Sequence, residues 1–340
     1  MTLIVAAFSD NNLVALADML VSAEEIGDSK KFTFPLSGNF DPVSRYYNAS
    51  VSQKSFCWNN SLLLFSGRAL TAKIICIKIS RGKPESFDEV NEIVQANLSS
   101  VDSVIHCYNE NGLVSLRHWN CKVLDYLSFK IVFAGSGADA LLLERAKKPG
   151  VHSGPSEVDQ PLLGQMYSWM DALIRNEWED PEHVDMRYGA GYELFELRRT
   201  DGFRSIEWRL DSLTVNKPSS PITNVGMIQS VLFLPGEFGV HVMKIVAVDS
   251  EEKYKDILYF VPRILDIPED VTVTWDFESF NPHIIYTTAR SSVGATFHAG
   301  RRECLSVYFE NNNLYIEPTK DGKLFADLIH STHHEIYRRS

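Results

Sequence analysis

Few cysteines, no long apolar run and no surplus of basic residues distinguish this sequence of 340 residues. Its five cysteines are scattered and contain no C-x-x-C pair, which argues against a disulfide framework or a zinc site and favours reduced thiols in the cytoplasm. Apolar runs such as 61–65 and 74–79 are far shorter than the roughly 20 residues that a membrane helix needs. The 33 basic and 44 acidic side chains leave a net charge of −11. Membrane and nucleic-acid partners are therefore not expected.

Several catalytic and ligand-binding motifs are also missing. The G-x-S-x-G elbow of serine hydrolases and the H-E-x-x-H metal motif are absent. Gly135-Ser136-Gly137 has no Lys-Ser/Thr after it, so it indicates a tight turn between a strand and a helix rather than a phosphate loop. These patterns predict neither a cofactor nor a metal. Residues 1–8 carry no positive charge, which predicts that no secretory signal is present.

The apolar periodicity predicts groups of strands that alternate with pairs of helices. Such an order favours stacked sheets with helix layers outside them, rather than a doubly wound parallel sheet. The second helix is expected to begin with a capping box formed by Ser86 and Glu89. The predicted elements are a hairpin at 3–17, a strand pair at 51–67, helices at about 69–80 and 86–98, a hairpin at 101–118, a strand at 129–134, helices at about 138–146 and 160–178, and a strand pair at 192–210.

A Pro- and Ser-rich stretch at 217–221 predicts a linker. Short β runs follow it, and a helix at about 320–337 ends the chain. We therefore divide the sequence into a first domain at 1–216 and a β-rich C-terminal domain at 217–340, for which no motif indicates a role.

Thr2 stands at the head of the first predicted strand, directly after Met1. Removal of Met1 would leave Thr2 with a free α-amine, whose pKa lies near about 8. Such an amine can accept the proton of the hydroxyl on the same residue. Thr2 is therefore a candidate nucleophile for amide hydrolysis.

Five segments in order resemble proteasome β-type subunits and their relatives among the N-terminal-nucleophile (Ntn) hydrolases. Residues 2–7 and 14–22 resemble the first hairpin of that family, in which a nucleophilic Thr begins the first strand and an Asp ends the second; Asp18 matches this Asp. Lys54, the strand at 61–65 and Ser66-Gly67 resemble its Lys, strand and turn before the first helix. Residues 133–138 resemble the Gly-Ser-Gly segment that opens its third helix, and residues 185–191 resemble the segment that follows its fourth helix. The resemblance covers about residues 2–212.

The resemblance implies an α+β fold, a four-layer αββα Ntn-hydrolase sandwich, to which the mostly-β C-terminal domain is added. It makes Thr2 the nucleophile of a threonine-type peptidase or amidase that cleaves a peptide or a small amide. Lys54, beside Asp18, would lower the pKa of the Thr2 hydroxyl, since a nearby cation favours the anionic form. Gly67 N–H would bind the oxyanion. The residues that would position the amine and a water are Ser136, Asp185 and Gly189.

Family members assemble into rings, so the resemblance also implies a homo-oligomer, and an ATP-driven unfoldase is a possible partner. The sequence departs from the family pattern at several positions. An insertion at 24–50 separates Asp18 from Lys54; Lys31 fits the family spacing better, but only Lys54 has the following strand, and we favour Lys54. Arg68 stands where a second Gly is common. The alternative function is a catalytically inactive scaffold or binding subunit that retains Met1.

Overall fold

The computed structural model describes 22 strands and three helices. No described helix is long and apolar enough to cross a membrane. The described residues are 3–9, 12–22, 33–34, 38–39, 49–126, 129–135, 137–138, 161–179, 191–198, 202–215, 225–236, 239–248, 253–265, 280–288, 295–298, 301, 303, 305–310 and 313–319.

The helices are α1 (Ala69–Gly82), α2 (Phe87–Asn97) and α3 (Pro161–Glu179). The strands are β1 (Ile4–Ser9), β2 (Asn12–Asp18), β3 (Leu20–Ser22), β4 (Thr33–Phe34), β5 (Gly38–Asn39), β6 (Ala49–Val51), β7 (Ser55–Trp58), β8 (Ser61–Ser66), β9 (Ser103–Glu110), β10 (Leu113–Trp119), β11 (Lys122–Tyr126), β12 (Phe129–Ala134), β13 (Tyr192–Arg198), β14 (Gly202–Ser205), β15 (Trp208–Val215), β16 (Val225–Pro235), β17 (Gly239–Val248), β18 (Lys253–Pro262), β19 (His283–Thr288), β20 (Ala295–His298), β21 (Leu305–Glu310) and β22 (Asn313–Pro318).

The first sheet has the strand order β11-β12-β1-β2-β13-β14, with the N-terminal hairpin at its centre. Both faces of β1 and β2 are buried, because alternate residues of a strand point to opposite faces and nearly all of these residues are apolar. Ile4 and Ala15 belong to the cluster shared with the second sheet, whereas Val5 and Leu16 belong to the cluster on the opposite face.

The second sheet has the order β10-β9-β8-β7 and packs on the first through Leu62, Leu64 and Ile105. Its other face carries Leu63 and Phe65, and α1 and α2 cover that face. The capping box of α2 is confirmed, since Ser86 Oγ accepts the Glu89 N–H and the Glu89 side chain accepts the Ser86 N–H. The turn between β9 and β10 is confirmed as well, with positive φ at Asn111 and Gly112.

The third sheet, β18-β17-β16-β15-β19-β20, overturns the expected fold. Apolar residues of this sheet join α3 in the cluster on the outer face of the first sheet, among them Val231, Phe233 and Val242. Trp208 stacks on Phe233, and its Nε1–H donates to Tyr192 O on the first sheet at 3.2 Å.

The predicted four-layer αββα Ntn-hydrolase sandwich is therefore wrong. The described residues lie mostly in strands, and a third sheet shares the cluster on the outer face of the first sheet with α3, where the prediction required helices alone. Two apolar faces on β1 and β2 show that a layer covers each face, but they do not distinguish a helix from a second sheet as the cover.

The division of the chain at residue 216 stays a prediction. One hydrophobic cluster contains Leu3 and Met166 together with Val240 and Val261, so residues on both sides of that position share a core. The linker at 217–221 and the final helix at about 320–337 lie outside the described residues.

Candidate functional site

A buried ion pair lies at the end of β2, beside the first described residue of the chain. Lys54 Nζ donates to Asp18 Oδ1 at 2.6 Å, and both side chains are almost fully buried. The N–H of Leu3 donates to the same carboxylate oxygen at 2.9 Å, and Asp18 N–H donates back to Leu3 O at 3.0 Å. The Asp18 carboxylate therefore joins the beginning of β1 to the ammonium group of Lys54.

Backbone hydrogen bonds on either side hold Lys54 in this position. The N–H of Ser52 donates to Met19 O at 3.0 Å, which ties the segment before β7 to the residue after Asp18. The N–H of Phe65 donates to Lys54 O at 2.9 Å, which ties the segment to β8. Lys54 thus bridges the ends of strands in the first two sheets.

Burial dominates the electrostatics of Lys54. It lowers the pKa of the Lys54 ammonium, against the raising effects of Asp18 and of Glu193. Little water is present to screen the charges of this buried ion pair, so its field on neighbouring groups is stronger than at the surface. The pair can therefore stabilise negative charge that develops nearby, or exchange a proton more readily than an exposed lysine can.

Gly67 follows β8 and precedes α1, and its backbone has a φ of +118°. The next residue, Arg68, donates its N–H to Asp102 Oδ1 at 2.9 Å and its Nη2–H to Asp102 Oδ2 at 2.8 Å. Burial alone would raise the pKa of the Asp102 carboxyl, but hydrogen bonds from Arg68 and Ser99 outweigh it and hold that pKa well below its usual range. Arg68 therefore fixes the turn that carries Gly67.

Gly67 and Lys54 line one small cleft. Its volume is about 30 Å³, and Ser66, Phe65 and Ala69 also line it. A cavity needs about 10 to 15 Å³ to hold one water, so this cleft has room for one or two. The structure thus brings together three of the predicted site residues, Asp18, Lys54 and Gly67; their catalytic roles stay predictions.

Thr2, Ser136, Asp185 and Gly189 lie outside the described residues, as does the alternative lysine, Lys31. Their roles stay predictions.

Glu193 is a buried acid that the sequence interpretation missed. It is fully buried on β13, where Gln53 Nε2–H donates to Oε1 and Ser55 Oγ–H donates to Oε2 at 2.8 Å. Burial raises the pKa of Glu193 to about 7, although hydrogen bonds from Ser55, Gln53 and the Lys54 backbone partly oppose this rise. Strand alternation contained the signal, since Glu193 shares its face with the core residues Phe195 and Leu197.

Glu193→Gln should change how stability depends on pH. Between pH 4.5, the ordinary pKa, and about 7, the folded chain keeps a proton on Glu193 that the unfolded chain has lost. The free energy of unfolding should therefore fall as pH rises through this window, by about 3 kcal/mol in total. Glu193→Gln should remove this decline, as measured by urea denaturation at several pH values.

Ser55→Ala is a control variant that should shift the pH range of this decline instead of removing it. It removes a hydrogen bond that stabilises the charged form of Glu193, so the decline should extend to higher pH. Equal slopes for the native chain and Glu193→Gln would contradict the assignment.

A second polar array resembles a hydrolytic triad but is closed to substrate. His106 Nε2 lies 3.0 Å from Ser61 Oγ, and His106 Nδ1 lies 2.8 Å from Asn91 Oδ1. The exposed fractions of Ser61, His106 and Asn91 are 2%, 0% and 2%. Burial lowers the pKa of His106 to about 3, so the array holds β8, β9 and α2 together as a neutral hydrogen-bonded unit.

Comparisons with known proteins add no family. A scan against models of protein families gives no match, and a search of curated proteins finds no significant match either. The resemblance to proteasome β-type subunits stays a prediction, and function has to be inferred from the chemistry around Asp18 and Lys54.

Proposed function

We propose that the chain is an amide hydrolase whose nucleophile is Thr2, made N-terminal by the removal of Met1. One observation carries the proposal. The N–H that donates to Asp18 Oδ1 belongs to the peptide bond that joins Thr2 to Leu3, and Lys54 Nζ bonds the same carboxylate oxygen. The candidate nucleophile is therefore covalently attached to a group that is fixed on the buried ion pair.

The chemistry follows from the groups in this arrangement. Thr2 Oγ attacks the carbonyl carbon of the amide, and its proton passes to the Thr2 α-amine. The C–N bond breaks, the amine product leaves with that proton, and the acyl group remains on Thr2 as an ester. A water molecule then gives a proton to the α-amine and attacks the ester; the bond to Thr2 Oγ breaks, the α-ammonium returns the proton to Thr2 Oγ, and the acid is released. The Lys54 ammonium stabilises the alkoxide form of the Thr2 hydroxyl. The Gly67 N–H is the proposed hydrogen-bond donor to the oxyanion that forms on the carbonyl oxygen of the substrate.

The substrate class is a peptide or a small amide. A homo-oligomer and an ATP-driven unfoldase partner stay predictions from the resemblance. The cytoplasm is the proposed location, because the described cysteines Cys57, Cys76, Cys107 and Cys121 are all free thiols and a reducing compartment keeps them so.

Covalent labelling tests the proposal directly. Intact mass spectrometry of the purified chain should show the loss of Met1. A peptidyl epoxyketone, which reacts with a hydroxyl and a free α-amine on the same residue, should then add once, and peptide mapping should place the adduct on Thr2. Labelling depends on both groups of one residue, so it reports the free N-terminus and the activated hydroxyl together.

Two variants control this experiment. Thr2→Ala should give no adduct, whereas Thr2→Ser, which keeps both reactive groups, should still be labelled. Retained Met1, or a free Thr2 that resists both the epoxyketone and a β-lactone, would contradict the hydrolase and favour the scaffold or binding subunit.

A further inference from the structure

A larger cavity of about 320 Å³ lies beside the cleft at Lys54. It lies at the edge where β7 of the second sheet approaches β13 and β14 of the first. Pro235 and Gly236, at the end of β16, and residues 263–265, which follow β18, close it. Gln53 and Ile264 line both the cavity and the smaller cleft, so the two adjoin. Its volume lies within the range of small-molecule sites, about 300 to 1,000 Å³.

Aromatic side chains form much of the cavity wall. Phe56 reaches it from β7, Phe195 from β13 and Phe203 from β14, and Ile264 and Leu265 add aliphatic surface. Phe195 is 3% exposed and is held in the core between the sheets. A wall of this kind favours a flat apolar body, because burying apolar surface is favourable and aromatic rings pack well against each other.

The polar groups of the cavity are unequally available to a ligand. Glu193 is fully buried, and its oxygens already accept hydrogen bonds from Gln53, Ser55 and the Lys54 backbone. Arg204 and Arg263 also line the cavity, and both are accessible to solvent. Arg263 Nη2–H donates to Gly236 O at 3.1 Å, and Arg204 Nη2 lies 4.0 Å from Glu207 Oε1. A guanidinium has several further N–H donors, arranged to bind a carboxylate through two oxygens.

We propose that this cavity is a binding site for a carboxylic acid with an aromatic body, whose ring packs on Phe56, Phe195 and Phe203 and whose carboxylate is bound by Arg204 and Arg263. Two cations at the accessible part of the cavity favour an anion, and the apolar wall distinguishes an aromatic acid from a small inorganic ion. Because the cavity adjoins the cleft at Lys54, it would hold the carboxylate end of the substrate or product of the hydrolase. That catalytic role rests on the proposed function, whereas the binding of an aromatic acid does not.

Isothermal titration calorimetry of the full chain with sodium phenylacetate at pH 7 and low salt tests the binding. Phenylacetamide is the neutral analogue of the same shape, and benzylamine is a cationic one. Phenylacetate should bind at least about tenfold more tightly than either, because each lacks the charge-assisted bonds to the arginines. Equal affinity for phenylacetate and phenylacetamide, tighter binding of benzylamine, or no detectable phenylacetate binding would overturn the proposal.

Variants locate the site on the chain. Arg263→Gln should weaken phenylacetate binding by about tenfold, and Arg204→Gln is a second, independent variant with the same expected effect. Arg81→Gln, at the exposed end of α1 and outside the cavity lining, should leave the affinity unchanged. Equal losses in all three variants would show that only net charge matters and would overturn the site. Thr2→Ala should bind phenylacetate normally, so failure of the hydrolase and failure of this site are distinguishable.

Discussion

Lys54→Met is expected to lower the free energy of unfolding by about 3 to 5 kcal/mol, the range for breaking a buried ion pair from one side. The substitution keeps the length and apolar stem of the side chain but leaves the fully buried carboxylate of Asp18 without the ammonium that bonds it at 2.6 Å. Hydrolysis that depends on Thr2 should also fall by about a hundredfold to a thousandfold, because a buried charge that stabilises the nucleophile is lost.

A double-mutant cycle separates these two effects. Asp18→Asn should destabilise the chain for the converse reason, since the Lys54 ammonium then loses its carboxylate partner. Combining Asp18→Asn with Lys54→Met removes both charges, and the double variant should be more stable than the sum of the single effects predicts, by about 2 kcal/mol or more. Stability is measured by urea denaturation, and activity should not return in the double variant.

The partly exposed pair Arg204 and Glu207 is the matched control. Its closest nitrogen and oxygen are 4.0 Å apart, and a surface pair of this kind contributes about 1 kcal/mol or less. The same cycle with Arg204→Gln and Glu207→Gln should therefore show little coupling. Strictly additive effects at Asp18 and Lys54 would contradict a strong buried pair.

Gly67→Ala is the second substitution with a large expected effect, a loss of about 2 to 6 kcal/mol in the free energy of unfolding. A φ of +118° costs a residue with a Cβ about 1 to 3 kcal/mol. The new Cβ would also lie 2.7 Å from Asp102 Oδ1 and 2.8 Å from Asp102 Cα, so the backbone has to move, at a further cost of about 1 to 3 kcal/mol. That movement displaces the Gly67 N–H, so hydrolysis should be lost as well.

Two other glycines separate the cost of the positive φ from the cost of the close contact with Asp102. Gly112 also has a positive φ, +86°, but an added Cβ would meet nothing within 4 Å. Gly112→Ala should therefore show only the backbone strain, about 1 to 2 kcal/mol. Gly82→Ala, in open space at the end of α1 and without a positive φ, should not destabilise the chain. If Gly67→Ala costs no more than Gly112→Ala in denaturation experiments, the close approach of Asp102 is not a constraint.

Local patterns carried most of what could be predicted about the fold. The hairpin of β1 and β2, the helix α1 and the capping box of α2 depend on turn residues and periodicity within a few positions. The third sheet depends on pairings that no short pattern reveals, and β16 extends over 11 residues, Val225–Pro235, where the sequence predicted only short β runs.

The candidate site also contains residues that the sequence identifies and contacts that only the folded chain shows. The resemblance identifies Asp18 and Lys54, but they are 36 positions apart in the sequence, so no local pattern predicts their contact. The sequence interpretation missed Glu193 because a charged residue in a strand is usually expected to face solvent. The cavity that contains it is formed by segments of three sheets, and only the folded chain brings these together.

The position of the N-terminal hairpin at the centre of the first sheet has a consequence for synthesis on the ribosome. β1 pairs with β12, where Ile4 lies opposite Ala134, and β2 pairs with β13, where Asp18 lies opposite Tyr192. At about 5 to 20 residues per second, the partner of β2 emerges roughly 10 to 35 s after β2 itself. During that interval the nascent hairpin exposes apolar faces and unpaired strand edges. Until β12 and β13 pair with it, the growing polypeptide has to be kept from aggregating with other nascent chains.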